Sequence, residues 1–329
     1  MNDHAKSATR KIYQYGIAAA VAALALTALT GRASAQDYPT RGISIIVGYG
    51  PGTGIDIIAR EVGMKLTVSM GRSVTIENKA GAAGSIGSDY VAQSRADGYT
   101  LLITSTTGII NEVIGPTRSK LIKDFDPVAF SGTIPYALAV PAIFPARTTA
   151  ELIAEAKRKP GQLNYVGLVG GIPQFLGEMF KATAGIDIVM VPYKSTPDAQ
   201  IDVLSGRVPI WFTTAASAIN LAKANRLHIL AVTSDKRIGA APDVPTMSEV
   251  GLSALNVEVT FFFLVPIGTP KPIINRLNRE IANAMSNREM VDRLAGQGVE
   301  PKIGSGEEVT KHVQSELARW EKVIAASKK

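Results

Sequence analysis

Apolar residues fall into short β-branched clusters and longer helical periods that alternate along the chain from about residue 43 onward. ISIIVGY (43–49) is nearly all apolar and β-branched, the pattern of a buried strand. From Gly54 to Ser69, Ile55, Ile58, Ala59, Val62 and Leu66 recur at helical spacing. SVTIEN (73–78) predicts a strand, NKAGAAGS a glycine-rich turn, SIGSDYVAQSRA a short helix and YTLLIT (99–104) another strand, which TSTTG follows as a polar turn. A β-α-β-α-β order of this kind builds a parallel sheet with helices on its faces.

A second series follows FSGTIPYALAVPAIFPA. Thr148 to Lys159 predicts a helix opened by a Thr148-x-x-Glu151 capping box and stopped at Pro160-Gly161. Then come strand 163–167, helix 173–184, strand 186–191, helix 197–205, strand 207–213, helix 216–224 and strand 227–233. A long β run, NVEVTFFFLVP (256–266), precedes a helical tail over 270–286, 288–296 and 305–326, the last helix opened by Ser305-x-x-Glu308. The tail helices need a sheet to cover, and the first sheet has few helices of its own. The pattern therefore predicts a discontinuous domain, 36–137 plus 258–329, with a second domain over 138–257. TIPYALAVPA and VEVTFFFLVP are the connectors, and a cleft lies between the sheets at the carboxyl ends of their strands.

The first 35 residues change that picture only at its start. Arg10 and Lys11 precede a small apolar stretch that ends in Ala33-Ser34-Ala35, the pattern of a secretory leader cleaved between Ala35 and Gln36. No second long apolar span occurs, so a soluble secreted protein is expected. Removing four cations and one acid with the leader lowers the formal charge from +7 to +4. No basic run is interleaved with aromatics, which argues against nucleic acid. With no cysteine at all, disulfides and thiolate metal sites are excluded.

GYGPGTGIDIIAR (48–60) joins the first strand to the first helix and is the foremost candidate for chemistry. Glycine-rich turns at helix N-termini offer backbone amides to anions. A dinucleotide fingerprint needs G-x-G-x-x-G; starting at Gly48 the third position is Thr53, and starting at Gly50 it is Ile55. No P-loop Lys-Ser or Lys-Thr pair follows either. Asp56, in the first helical turn, is open to two readings: a cap that complements the helix dipole, or an acceptor facing ligand or an ordered water. Thr104 to Thr107 put four hydroxyls on one turn. VGLVGGIPQFLGEMF (166–180) and VPYKSTPDAQ (191–200) again join strand to helix through polar or glycine turns. Together these turns predict a small polar ligand between two sheets. Catalytic constellations are thin: His228 lies in a strand, His312 on a helix that reads as exposed, Glu178 and Asp202 read as solvated, and neither G-x-S-x-G nor H-E-x-x-H occurs. In TFFFLV (260–265), Phe261 and Phe263 share one face of a connector and read as core, while Phe262 is a candidate ligand contact.

The stretches YPTRGISIIVGYGPGTGIDIIAR, ENKAGAAGSIGSDYVAQSRADGYTLL, GEMFKATAGIDIVMVPYK, LHILAVTSDKRIGAAPDVPTMSEVGL and VPIGTPKPIINRLNREI resemble the substrate-binding proteins of tripartite tricarboxylate transporters, the Bug family of extracytoplasmic solute receptors. The resemblance covers essentially the whole chain after the leader. It implies a two-lobed, type II-like periplasmic binding fold, two α/β domains joined by two crossing strands, that closes on a small carboxylate. Carried over by position, the ligand loops are Tyr49, Gly50, Pro51, Gly52, Thr53, Gly54 and Asp56; Ser105, Thr106, Thr107 and Gly108; Gly170, Gly171, Ile172 and Pro173; Tyr193, Ser195 and Thr196; and Thr213. A monomer is expected, without metal or cofactor, that serves a membrane permease or a sensor kinase. Departures are specific: Thr213 stands where an aspartate is usual, Val169 to Ile172 where serine or asparagine is usual, Ser195 for glycine, Thr260 for tryptophan and Phe262 for glycine. Loss of an acid removes a partner for a cationic group. The expected ligand is therefore a carboxylate with a less polar body, aromatic or a longer aliphatic diacid. A periplasmic enzyme on the same fold and an adhesion scaffold are the alternatives.

Overall fold

The computed structural model describes residues 38–115, 117–168, 171–193 and 195–327; the expected leader and its cleavage point lie outside them. Arg41–Lys329 forms one compact unit. Strand β1 (Ile43–Val47) is followed by helix α1 (Gly54–Met70), β2 (Val74–Asn78), α2 (Ser85–Ala92), β3 (Thr100–Ser105) and α3 (Thr106–Ile114). A 17-residue strand, β4 (Phe125–Pro141), leads to α4 (Thr149–Arg158), β5 (Asn164–Leu168), α5 (Ile172–Ala184), β6 (Val189–Tyr193), α6 (Thr196–Leu204), β7 (Trp211–Thr214), α7 (Ala215–Lys223) and β8 (Leu227–Val232). The chain ends with β9 (Glu258–Pro266), α8 (Lys271–Met285), α9 (Arg288–Ala295) and α10 (Gly306–Ser327). Among the described residues no helix is long and apolar enough to cross a membrane.

The sheet runs β2-β1-β3-β9-β4-β7, with β8 also on β4, and β5-β6 form a separate parallel pair. β1 is parallel to β2 and β3, as β-α-β connections require. β9 inserts antiparallel between β3 and β4. Length explains β4's role: residues 125–135 pair with β9, and residues 136–141 pair with β7 and β8. One strand thus carries the ladder from one set of strands into the next. Its register shifts between Phe130 and Gly132, and Gly132 has φ 133°, a conformation that favours glycine. There Thr133 exchanges two backbone hydrogen bonds of 2.8 Å with Glu300, so the segment after α9 clasps the bend. Asn164 and Val166 of β5 bond Ile210, just before β7.

Both expected capping boxes form. The Thr148 hydroxyl accepts from Glu151 N at 3.2 Å while the Glu151 carboxylate accepts from Thr148 N at 3.1 Å. Ser305 and Glu308 reciprocate in the same way at 3.2 and 2.7 Å.

His312 corrects the expectation of an exposed position on the last helix. Its ring lies edge-on to Phe130 at 5.5 Å and to Phe262 at 6.4 Å, two residues directly paired across β4 and β9, and its Nε2 is buried without a partner among the described residues. Burial, with Lys302 nearby, pushes its pKa down to about 4 from 6.5, and Glu316 opposes the shift. The unfolded chain therefore takes a proton below pH 6.5 that the folded chain refuses until about 4, and stability is lost as pH falls through that window. Glu258 works in the opposite direction: burial raises it to about 7, so its contribution is present at acid pH and lost as pH rises through 7. His312→Phe isolates the first effect. Its melting temperature should gain on that of the wild type as pH drops from 6.5 to 4, and a constant difference across that range would refute the assignment.

Candidate functional site

The turn from β1 to α1 is shaped by hydrogen bonds within it. Gly52 has φ 80°, which a side chain rarely tolerates. Thr53 precedes the helix but does not cap it; its hydroxyl donates instead to Gly50 O at 2.8 Å. Asp56 is only 2% exposed, and four bonds converge on its carboxylate. Oδ2 accepts from Gly52 N at 2.9 Å and Arg60 Nε at 3.0 Å; Oδ1 accepts from Arg60 Nη2 at 3.0 Å and Asn78 Nδ2 at 2.8 Å. Asn78, the last residue of β2, also donates to Tyr49 O at 2.9 Å and accepts from Arg60 at 3.1 Å. Burial alone would raise the Asp56 pKa; the bonds from Arg60, Gly52 and Asn78 outweigh it, and the carboxyl sits below its ordinary value.

Of the two readings of Asp56, this arrangement supports the structural one, although its partner is the turn rather than the helix end. What remains available is backbone. Among the described residues no acceptor meets the amides of Gly50, Thr53, Gly54 and Ile55, which lie at the positive end of a 17-residue helix. A Cβ built on Gly50 or Gly52 would meet nothing within 4 Å, so the outer face of the turn is open to approach.

Several expected contacts are occupied otherwise. Tyr49, whose hydroxyl donates to Ala83 O at 3.1 Å, has its pKa raised to about 12 by burial. It lines a polar pocket of about 20 Å³ with Thr104, Gly108 and Asn111, enough for one water. TSTTG is not a free turn: Ser105 is the N-cap of α3, accepting from Thr107 N at 3.3 Å, and Thr106 to Gly108 are already helical. Thr106 is fully buried, donating to Glu258 O at 3.1 Å and accepting from Thr260 N at 2.9 Å, which pins α3 to the start of β9. Gly108 leaves room for Thr104, whose Oγ1 would lie 2.3 Å from a Cβ there. Phe262, a candidate ligand contact, is fully buried between Phe130 and Thr104 in register.

On the other side, Gly170 lies outside the described residues. Gly171 N donates to Leu168 O at 2.8 Å, and Ile172 and Pro173 form the buried first turn of α5. Ser195 caps α6, exchanging hydrogen bonds with Asp198, and Thr196 is exposed. Tyr193 turns its hydroxyl onto Asp202 at 2.7 Å; burial and that carboxylate push its pKa up to about 12. Asp202 and Glu178 are therefore not merely solvated, since Glu178 accepts from the Tyr165 hydroxyl. Thr213 is buried in β7, paired with Ala137 of β4. A separate cavity of about 340 Å³ lies between α7 and residues 295–301, and among the described residues none of the expected ligand contacts lines it.

The structure thus brings the turn residues 49–56 together, while the expected hydroxyls at 105, 193 and 195 bond near neighbours in the chain and that of 106 ties α3 to β9. Sequence reasoning missed Arg60 and Asn78. Arg60 was legible as the base four residues after an acid on a helix. Asn78 carried no signal beyond its place at a strand end before a glycine turn.

The description "tripartite tricarboxylate transporter family receptor" matches residues 58–328. Protein BugT of Bordetella pertussis is 32% identical over 305 residues, covering 92% of this chain and 94% of its own. An R. palustris protein solved with adipate is 32% identical, with a TM-score of 0.72 over 87% of this chain and 97% of that one. A TctC solute-binding protein from Polaromonas, solved without ligand, superimposes with a TM-score of 0.80 at 25% identity, covering 88% and 99%. The shared architecture is the two-lobed fold of periplasmic binding proteins. With a family match across most of its length and relatives aligned nearly end to end, this chain belongs to the tripartite tricarboxylate transporter receptor family, alongside the Bug proteins.

Proposed function

We propose that this protein is a periplasmic receptor, not an enzyme, that captures a small organic carboxylate by hinge closure and passes it to a tripartite tricarboxylate-type permease or reports it to a sensor. The observation that carries the reading is the open cluster of unpaired amides at Gly50, Thr53, Gly54 and Ile55 on the N-terminus of α1. The R. palustris relative with adipate supports a ligand of this class. The division into lobes at 36–137 plus 258–329 and 138–257 is part of the proposal, with the turn 49–56 on one lobe and residues 171–173, 195–196 and 213 on the other. A ligand must touch both to favour closure. Thr213, standing where the family resemblance leads one to expect an aspartate, leaves no acid there for a cationic group, which favours an aliphatic diacid of about adipate length or an aromatic acid over an amino acid.

A thermal-shift and calorimetric series with succinate, adipate, suberate, phthalate and glutamate tests this. Adipate or phthalate should raise the melting temperature, by the equivalent of about 2.7 kcal/mol at a hundredfold excess over Kd. A response to glutamate alone would overturn the proposed ligand class, and turnover of a bound acid would overturn the receptor reading.

A further inference from the structure

A buried carboxylate at the mouth of an anion site is a contradiction that the structure resolves. Asp56 stands in the first turn of α1, beside the free amides of Gly54 and Ile55, where its negative charge would repel an incoming carboxylate. Yet the turn needs Asp56, because its Oδ2 holds Gly52 N and fixes the left-handed glycine. We propose that Arg60 and Asn78 are positioning residues of the anion site: Arg60 cancels the charge of Asp56 so that the turn keeps its shape without opposing the ligand, and Asn78 locks that pair to the backbone of Tyr49. The proposal rests on the carboxylate-receptor reading.

The geometry fits a compensator rather than a ligand contact. Arg60 reaches Asp56 with two nitrogens, each at 3.0 Å, and its third contact is Asn78 Oδ1. Both oxygens of Asp56 are engaged by four donors, which leaves no acceptor position for a ligand, and the Arg60 guanidinium offsets the negative charge. Arg60 itself is half exposed, so its removal deletes little packing, whereas Asp56 is almost wholly enclosed and would be left charged. A planar guanidinium is needed for the two-pronged contact, which an ammonium cannot copy.

The experiment is a charge cycle read by calorimetry on the protein without its leader, with adipate and its monomethyl ester as probes. Arg60→Gln should weaken adipate binding by about 10–100-fold, as expected for a close, enclosed carboxylate left without its counter-charge. The monoester, with one charge fewer, should lose less. Asp56→Asn combined with Arg60→Gln removes both charges and should return adipate affinity to within about threefold of wild type, an interaction that only coupled residues show. Equal losses for both probes, or a double variant as weak as Arg60→Gln, would mean a purely structural role and overturn the proposal. If Arg60→Gln binds adipate as wild type does, the proposal fails while the receptor reading stands. If wild-type protein binds neither adipate nor any other acid of the series, both fall.

Discussion

Phe262→Ala is expected to lower the unfolding free energy by about 3–5 kcal/mol, the cost of emptying a large aromatic site in a packed core. Phe262 has no exposed surface and lies at the centre of β9, facing Thr104 of β3 on one side and Phe130 of β4 on the other. His312 closes the site edge-on at 6.4 Å. Three elements from distant parts of the chain therefore share one ring, and none can collapse into the space without moving the ladder that joins the strands. The fall in melting temperature should be about 6–20 °C for a domain of this size. Urea denaturation of the variant checks it: a loss below about 1 kcal/mol would show that the site refills, against the close packing described above.

That ring also shows where the sequence was readable and where it was not. Helices with a strong 3.6 period, such as 149–158, which also carries a capping box, and 271–285, fall within a residue or two of expectation, because their signals are local. The parallel order of β1, β2 and β3 follows from the alternation of strand and helix. Strands β6 and β7 begin three and four residues later than the apolar runs suggest, at Val189 and Trp211. Ile186 and Val208 are buried, but as core fillers ahead of the ladder, and hydrophobicity alone does not say which residues find a backbone partner.

The site divides in the same way. The glycine spacing from Gly48 to Gly54 marked a turn of bared backbone, and the structure has there a left-handed Gly52 just ahead of the N-terminus of α1. The hydroxyls divide by the reach of their partners: Ser105 and Ser195 cap the helices that follow them, a local role, whereas Thr106 bonds residues 152 and 154 positions away, which no local pattern reveals. His312 looked exposed because the helix carrying it is polar, while the phenylalanines that enclose it belong to other strands.

Gly132→Val should be nearly as damaging, for a backbone reason. At φ 133° a β-branched residue is strained by about 1–3 kcal/mol before any contact is counted. Its Cβ would also lie 2.8 Å from Val299 Cγ1 and 3.0 Å from Glu300 O. The second neighbour is backbone and cannot rotate away, so either the bulge in β4 or the paired bonds between Thr133 and Glu300 must give; overpacking of this kind adds about 1–3 kcal/mol. Gly50→Ala is the matched control, since that position has no atom within 4 Å and ordinary φ, and its unfolding free energy should stay within about 0.5 kcal/mol of wild type. Hydrogen exchange locates the damage: in Gly132→Val the amides of Thr133 and Glu300 should lose protection well before those of β1 and β3. Protection lost evenly across the sheet would mean that the bend is not the weak point, and that the clasp after α9 follows the fold rather than holding β4 in its curve.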